Sequence, residues 1–417
     1  MDRRTFLRLS TSTGALVAAG PLLAACSSDG SGSATTTSTA STSTTGASTT
    51  TSTTTSTPRP GATRYGPLAE VPDANGLLLP AGFTSELLAV GGETVPGTSY
   101  RWHPFPDGGA CFATDDGGWV YVSNSEVYVP RRGGAGALRF DAAGRIVDAY
   151  RILDGTTMNC AGGTTPWGTW LSCEEMEAGQ VWECDPLGQT DATPRPAMGL
   201  LRHEMVAADE VRQVLYLTED EHDGLFYRFR PARWGDLSEG TLEAAAVAAD
   251  GAISWVPVRG LGDAGTPARY DAPGATPLPG AEGVVVHGDS AYVATKYDDK
   301  VSRIDLAQSR LTRLWDGGEP IKGPDNLAFH APSGNLFACE DGGDMQVVLL
   351  TPDGQPDPFL QFVGHPDSEV TGAAFDPSDT RLFVSSQRAP TPQTIDDLVG
   401  GGGSQTLGRT YLITGPF

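Results

Sequence analysis

Short β-branched and aromatic runs, broken by Gly, Pro and Asp, recur from about Arg64 to Phe417, and helical periodicity is scarce. Six of these runs fall into step when aligned on one aromatic residue. They are Val120–Asn124, Thr169–Cys173, Leu215–Glu219, Ala291–Thr295, Leu336–Glu340 and Leu382–Ser386, with the aromatics Tyr121, Trp170, Tyr216, Tyr292, Phe337 and Phe383. The intervals between these aromatics are 49, 46, 76, 45 and 46 residues. A four-stranded propeller blade takes about 40–50 residues. The pattern therefore predicts an all-β chain folded as a six-bladed β-propeller of antiparallel blades. The long interval contains Arg233–Pro277, rich in Ala, Gly and Pro, and reads as an insertion between blades.

A second register concerns acids. About fifteen residues before four of the strand ends, an acid opens another apolar strand: Glu204, Glu282, Asp325, and Glu369 just ahead of Thr371. Two strands joined as an antiparallel hairpin place the start of the first and the end of the second at one sheet edge. In a propeller that edge is a mouth of the central channel. Glu204 should then lie near Glu219 and Asp220, Asp325 near Glu340 and Asp341, and Glu282 near Lys296, with Glu174 and Glu175 from the neighbouring blade. Scattered acids need no explanation, but an inward-facing ring raises pKa values or demands cations. Carboxylates suit hard cations such as Ca²⁺, and the thiolate of Cys160 suits a softer transition metal.

Composition narrows the partners. The formal net charge is −23, from 51 Asp and Glu against 28 Lys and Arg. This argues against nucleic acid, whose phosphates need basic partners. The N-terminus carries Arg3-Arg4-Thr5-Phe6-Leu7, an apolar run from Gly14 to Ala25, and Leu23-Ala24-Ala25-Cys26. That order predicts a twin-arginine lipoprotein signal over residues 1–25, removed by cleavage before a lipidated Cys26. Residues 26–63 are nearly all Ser, Thr, Gly and Ala and read as a flexible tether. The catalytic domain is then 64–417, expected to be a monomer anchored to the outer face of the cell membrane or periplasmic. Cys111, Cys160, Cys173, Cys184 and Cys339 are an odd number, so at least one stays unpaired within the chain. Cys173 and Cys184 could staple a hairpin.

Residues 159–175 resemble the bacterial PhoX alkaline phosphatase family. The shared pattern is Asn159-Cys160-Ala161-Gly162-Gly163, Thr165-Pro166-Trp167-Gly168-Thr169-Trp170 and Cys173-Glu174-Glu175. Further matches are His203-Glu204, Glu219-Asp220 before Phe226-Tyr227-Arg228-Phe229, Glu282-Gly283, Pro324-Asp325-Asn326-Leu327 and Cys339-Glu340-Asp341-Gly342. Asn124-Ser125-Glu126 looks like a variant of the family's Asn-His-Glu. The resemblance implies a six-bladed propeller that binds a pair of Fe³⁺ ions and several Ca²⁺ ions and hydrolyses phosphate monoesters. By it, Cys160 looks like the iron-ligating cysteine, with Glu204 and Glu282 among the other metal carboxylates. Glu174, Glu175, Glu219, Asp220, Asp325, Glu340 and Asp341 would complete the metal shells, and Glu126 and Glu369 join them as metal candidates. The expected chemistry is metal-assisted attack on a small phosphoester.

One departure is notable: where the family commonly shows Arg-Pro-Glu, this chain has Gly280-Ala281-Glu282. A cation useful for holding phosphate is lost there. Lys296 is the candidate substitute or, equally, an ion-pair partner for the acids. Arg202, Arg228 and Arg388 are further candidates for positive charge, Arg388 foremost. The catalytic set expected is thus Glu204, Glu282, Lys296 and Arg388. His203 reads as a hydrogen-bond partner behind the metal shell. His103, His222, His287, His330 and His365 read as surface or turn residues, and Trp167 and Trp170 as inter-blade core. Two other functions fit the same scaffold: a calcium-dependent lactonase or esterase, and a metal-stabilised binding propeller without turnover.

Overall fold

A computed structural model describes residues 64–263, 265–401 and 403–417. The expected leader, Cys26 and the tether up to Thr63 lie outside the described residues. Strands dominate, and they form six antiparallel sheets of four or five strands. Each sheet runs outward from one innermost strand. In chain order these are Pro106–Ala113, Asn159–Thr164, His203–Asp209, Ala281–His287, Pro324–His330 and Val370–Phe375. Each packs against the next, and the sixth packs against the first, closing a six-bladed propeller.

Closure uses both ends of the described chain. Thr84–Val90 pairs with Arg409–Thr414 and so becomes the outermost strand of blade six. Lacing this early strand onto the last blade ties the ring together across a large sequence separation. Leu77–Leu78 adds a short outer strand to blade five. The long interval is spent largely on strand. Asp236–Val247 is the fourth strand of blade three and Ile253–Pro257 a fifth. The 3-10 turn Ala268–Asp271 then leads towards blade four.

The aligned aromatics are wedges between blades. Tyr121 of blade one stacks on Phe383 of blade six, ring centroids 4.2 Å apart. Trp170 of blade two donates its Nε1–H to Asn124 Oδ1 of blade one at 2.9 Å. Each such ring is almost fully buried, which is worth about 1.5–3 kcal/mol per large apolar side chain. One aromatic per blade is thus what the repeat spacing records.

Three histidines assigned to surface or turns are instead buried: His103, His330 and His365. His103 packs on Trp102, His330 packs against Phe375, and His365 bonds Ser386 Oγ at 2.7 Å. All five described cysteines are free thiols. Cys173 and Cys184 do not staple the hairpin of blade two. Cys173 pairs with Val181 and Cys184 with Trp170, and their side chains enter apolar clusters on opposite faces of that blade.

Candidate active site and metal centre

The innermost strands share an irregularity that builds the site. In each, two residues stand opposite one on the neighbouring strand. The bulged pairs are Asp107-Gly108, Cys160-Ala161, Glu204-Met205, Glu282-Gly283, Asp325-Asn326 and Gly372-Ala373. A bulge breaks the strict alternation of side chains and re-aims one of them. In five of the six blades the residue it re-aims is an acid or the Cys160 thiol.

The facing strand ends add a second layer through ordinary alternation. In blades two, three and five that strand ends in two acids, and the first of each pair closes the following turn. Glu174 accepts the amides of Thr157 and Gln180 at 3.0 and 3.2 Å. Glu219 accepts the Leu225 amide and the Tyr227 hydroxyl, and pairs with Arg269 at 2.8 Å. Glu340 accepts the amides of Lys322 and Gln346 at 2.8 and 2.9 Å. Thr295 and Ser386 occupy the same place in blades four and six and bond Asp298 and His365. The next residue points the other way. Glu126, Glu175, Lys296, Asp341 and Gln387 share ion pairs, hydrogen bonds or close donor groups with the bulged residues, and Asp220 joins them through the Lys296 ammonium.

The donor atoms converge. Four trios have ligand atoms within 4.8 Å of one another: Asp107–Glu126–Cys160, Cys160–Glu175–Glu204, Glu204–Glu282–Asp325 and Asp325–Asp341–Glu369. Successive trios share Cys160, Glu204 and Asp325, so they form one chain of groups across the mouth. Cys160 Sγ lies 3.2 Å from Glu204 Oε1. Its backbone is held by Asn124, whose Nδ2 donates to the carbonyls of Cys160 and Ala161 at 3.1 and 2.8 Å. Asn124 Oδ1 meanwhile accepts from Ser172 Oγ as well as Trp170. This one amide fixes the bulge that presents the thiol.

Charge is concentrated and largely removed from solvent. Burial pushes the Glu204 carboxyl well above the ordinary range, and Glu282, Asp325 and Asp107 push it further. Its Oε2 is buried and meets no hydrogen-bond donor. Three cations answer the acids. Lys296 Nζ contacts Glu282, Asp220 at 3.2 Å and Asp341 at 3.4 Å. Arg388 contacts Glu369 at 2.9 Å and Glu126 at 3.7 Å, and Arg202 contacts Glu175 at 3.6 Å and Glu221 at 3.1 Å. Arg228 is not among them: it pairs with Glu243 and lies over Trp255 on the blade-three sheet. Buried carboxylates in this excess demand further positive charge. A chain of oxygen donors with one thiol fits metal cations by donor chemistry.

Of the residues singled out from sequence, Glu126, Cys160, Glu175, Glu204, Asp220, Glu282, Lys296, Asp325, Asp341, Glu369 and Arg388 come together at this mouth. Glu174, Glu219 and Glu340 sit beside it with their carboxylates engaged by the turns. His203 is buried behind Glu204, its Nε2 2.9 Å from the Gly199 carbonyl. Burial drives its pKa down to about 4. Two participants were missed. Asp107 precedes Tyr121 by 14 residues, much as Glu204 precedes Tyr216 by 12, so the acid register applied to blade one would have found it. Gln387, which donates to Asp107 and to Glu126 Oε2, carries no charge and left no such signal. Gly280 adopts φ +60°, and a Cβ there would stand 2.8 Å from the Tyr297 ring.

Comparison with known proteins agrees with this geometry. The family described as "Alkaline phosphatase PhoX" matches residues 116–183 and 176–313. No curated protein matches the chain. Among solved structures, Pseudomonas fluorescens PhoX in complex with vanadate, a transition state analogue, superposes with a TM-score of 0.66 at 18% identity. That match covers 84% of this chain and 98% of that one. A gluconolactonase from Xanthomonas campestris gives a TM-score of 0.46 at 15% identity, covering 84% and 98%. The propeller, its acid-lined mouth and the segments matched by the family model together support membership of the PhoX family of alkaline phosphatases.

Proposed function

We propose that the protein is a metal-dependent phosphomonoester hydrolase whose centre is the chain of donor trios at the channel mouth. The observation that carries this reading is the sharing of Cys160, Glu204 and Asp325 between successive trios. Such sharing suits several closely spaced cations rather than one. Cys160, with Asp107, Glu126, Glu175 and Glu204, offers the thiolate-containing end and suits iron. Glu282, Asp325, Asp341 and Glu369 offer oxygen alone and suit calcium. When bound, these cations supply Lewis acidity that offsets the charge of the phosphoryl oxygens.

The chain's own residues do the rest. Arg388 stands at the rim between Glu126 and Glu369, and its planar fork can meet two phosphoryl oxygens at once. Gln387 orients Asp107 and Glu126, and Lys296 orients Glu282 and Asp220. Glu204 and Glu282, fully buried at the centre and sharing a trio with Asp325, would hold metal there. Glu174, Glu219 and Glu340 serve the blade turns and keep the neighbouring acids in register. Export by the twin-arginine route and anchoring through Cys26 would place this activity outside the cytoplasm.

The test is metal analysis of protein exported from its native host, paired with a phosphoester panel and Cys160→Ser. Iron and calcium together with phosphomonoesterase activity, both reduced by C160S, are expected. Hydrolysis of lactones but not phosphoesters, or unchanged activity in C160S, would overturn the reading.

A further inference from the structure

Lys296 is a lysine where the donor ring would otherwise be acid. It occupies the strand-end position that carries Glu126, Glu175, Asp220 and Asp341 in four other blades. It is 5% exposed, and its ammonium contacts Glu282, Asp220 and Asp341, one carboxylate from each of blades four, three and five. An ammonium has three N–H donors, and here three carboxylates from three blades surround it, Asp220 as a hydrogen-bond acceptor and Glu282 and Asp341 as ion-pair partners. Thr295 bonds Asp298, and the Lys296 amide donates to the Gly280 carbonyl at 2.8 Å, which fixes the root of the side chain. A charge held this way meets the need that a divalent cation would meet elsewhere in the ring.

We infer that the Lys296 ammonium is a built-in cation: it stands where Asp220, Glu282 and Asp341 would otherwise gather a divalent metal ion. The protein thus binds one cation fewer than its acid ring would hold. The inference rests on the metal-binding part of the function proposed above. It also sets the role of Lys296 apart from that of Arg388. The lysine's charge is enclosed by three carboxylates, so it sets the charge and position of Glu282 rather than binding substrate phosphate directly.

The test is Lys296→Met, with calcium counted by elemental analysis and by titration of chelator-treated protein. One additional calcium ion per chain is expected relative to wild type. Thermal stability should fall in chelator and rise with calcium by more than it does for wild type. Lys296→Arg keeps the charge and should leave the count unchanged. If K296M does not accumulate, K296M/D220N carries one uncompensated charge fewer, retains an amide oxygen in the same place, and should take up the same extra ion. An unchanged calcium count in these variants overturns the inference. So does failure of both to fold in calcium while K296R folds. The readout is a difference in ion count, so a wild-type protein that binds metal but cleaves no phosphoester would sink the hydrolase reading and leave this one standing.

Discussion

Glu174 and Glu175 are chemically alike and adjacent, yet the strand turns them to opposite tasks, and a pair of substitutions separates these. In Glu174→Gln, one of the two oxygens that accept the Thr157 and Gln180 amides becomes an NH₂ facing an N–H. Hydrogen bonds to a charged acceptor are worth about 1.5–3 kcal/mol each. E174Q should lose roughly that much stability, with or without metal, and keep the wild-type metal count. In Glu175→Gln the change falls in the trio with Cys160 and Glu204. Two carboxylates about 5 Å apart, both ionised, would repel by about 3 kcal/mol at an effective dielectric of about 20, an upper bound here because burial favours the protonated form of Glu204. Removing one such charge offsets the loss of the 3.6 Å contact with Arg202. E175Q should therefore be no less stable than wild type in chelator, yet bind metal more weakly. Urea unfolding followed by tryptophan fluorescence, with and without chelator, and elemental analysis of the same preparations read both quantities. The reasoning fails if E174Q sheds metal as E175Q does, or if E175Q destabilises the chelated protein as much as E174Q.

Gly280→Ala should cost about 1–3 kcal/mol, because a left-handed backbone strains a residue with a Cβ and that Cβ meets Tyr297. Gly280→Arg should likewise lose stability without gaining activity; a higher kcat/KM with unchanged urea midpoint would contradict this. His203 stays neutral when folded, its pKa lowered from 6.5 to about 4. The unfolded chain takes up the proton first, so this contribution is full above about pH 6.5 and lost as pH falls toward 4, worth about 3 kcal/mol. His203→Gln should flatten that part of the pH–stability curve, and an unaltered slope would remove His203 as its source.

The sequence by itself determined the repeat, because each blade must bury one aromatic wedge against its neighbour and that need recurs at a near-constant spacing. It also determined that acids gather at one edge, since hairpin geometry brings a strand's start beside the next strand's end. Local pattern was also enough to expose Cys160, Glu204, Glu282 and Asp325 as candidates. Only the tertiary structure decided which member of Glu174-Glu175, Glu219-Asp220 and Glu340-Asp341 turns inward, because both residues of each pair are acids and hydropathy cannot tell a turn-closing acid from a channel acid. It also brought in Gln387 and Asn124, neutral side chains whose roles come from partners distant in sequence. The burial of His103, His330 and His365 was likewise set by packing between elements far apart in the chain. Lys296 shows the limit most clearly. The sequence leaves Lys296 as a phosphate-holding cation or an ion-pair partner for the acids, and the carboxylates of three blades converging on it make it part of the ring.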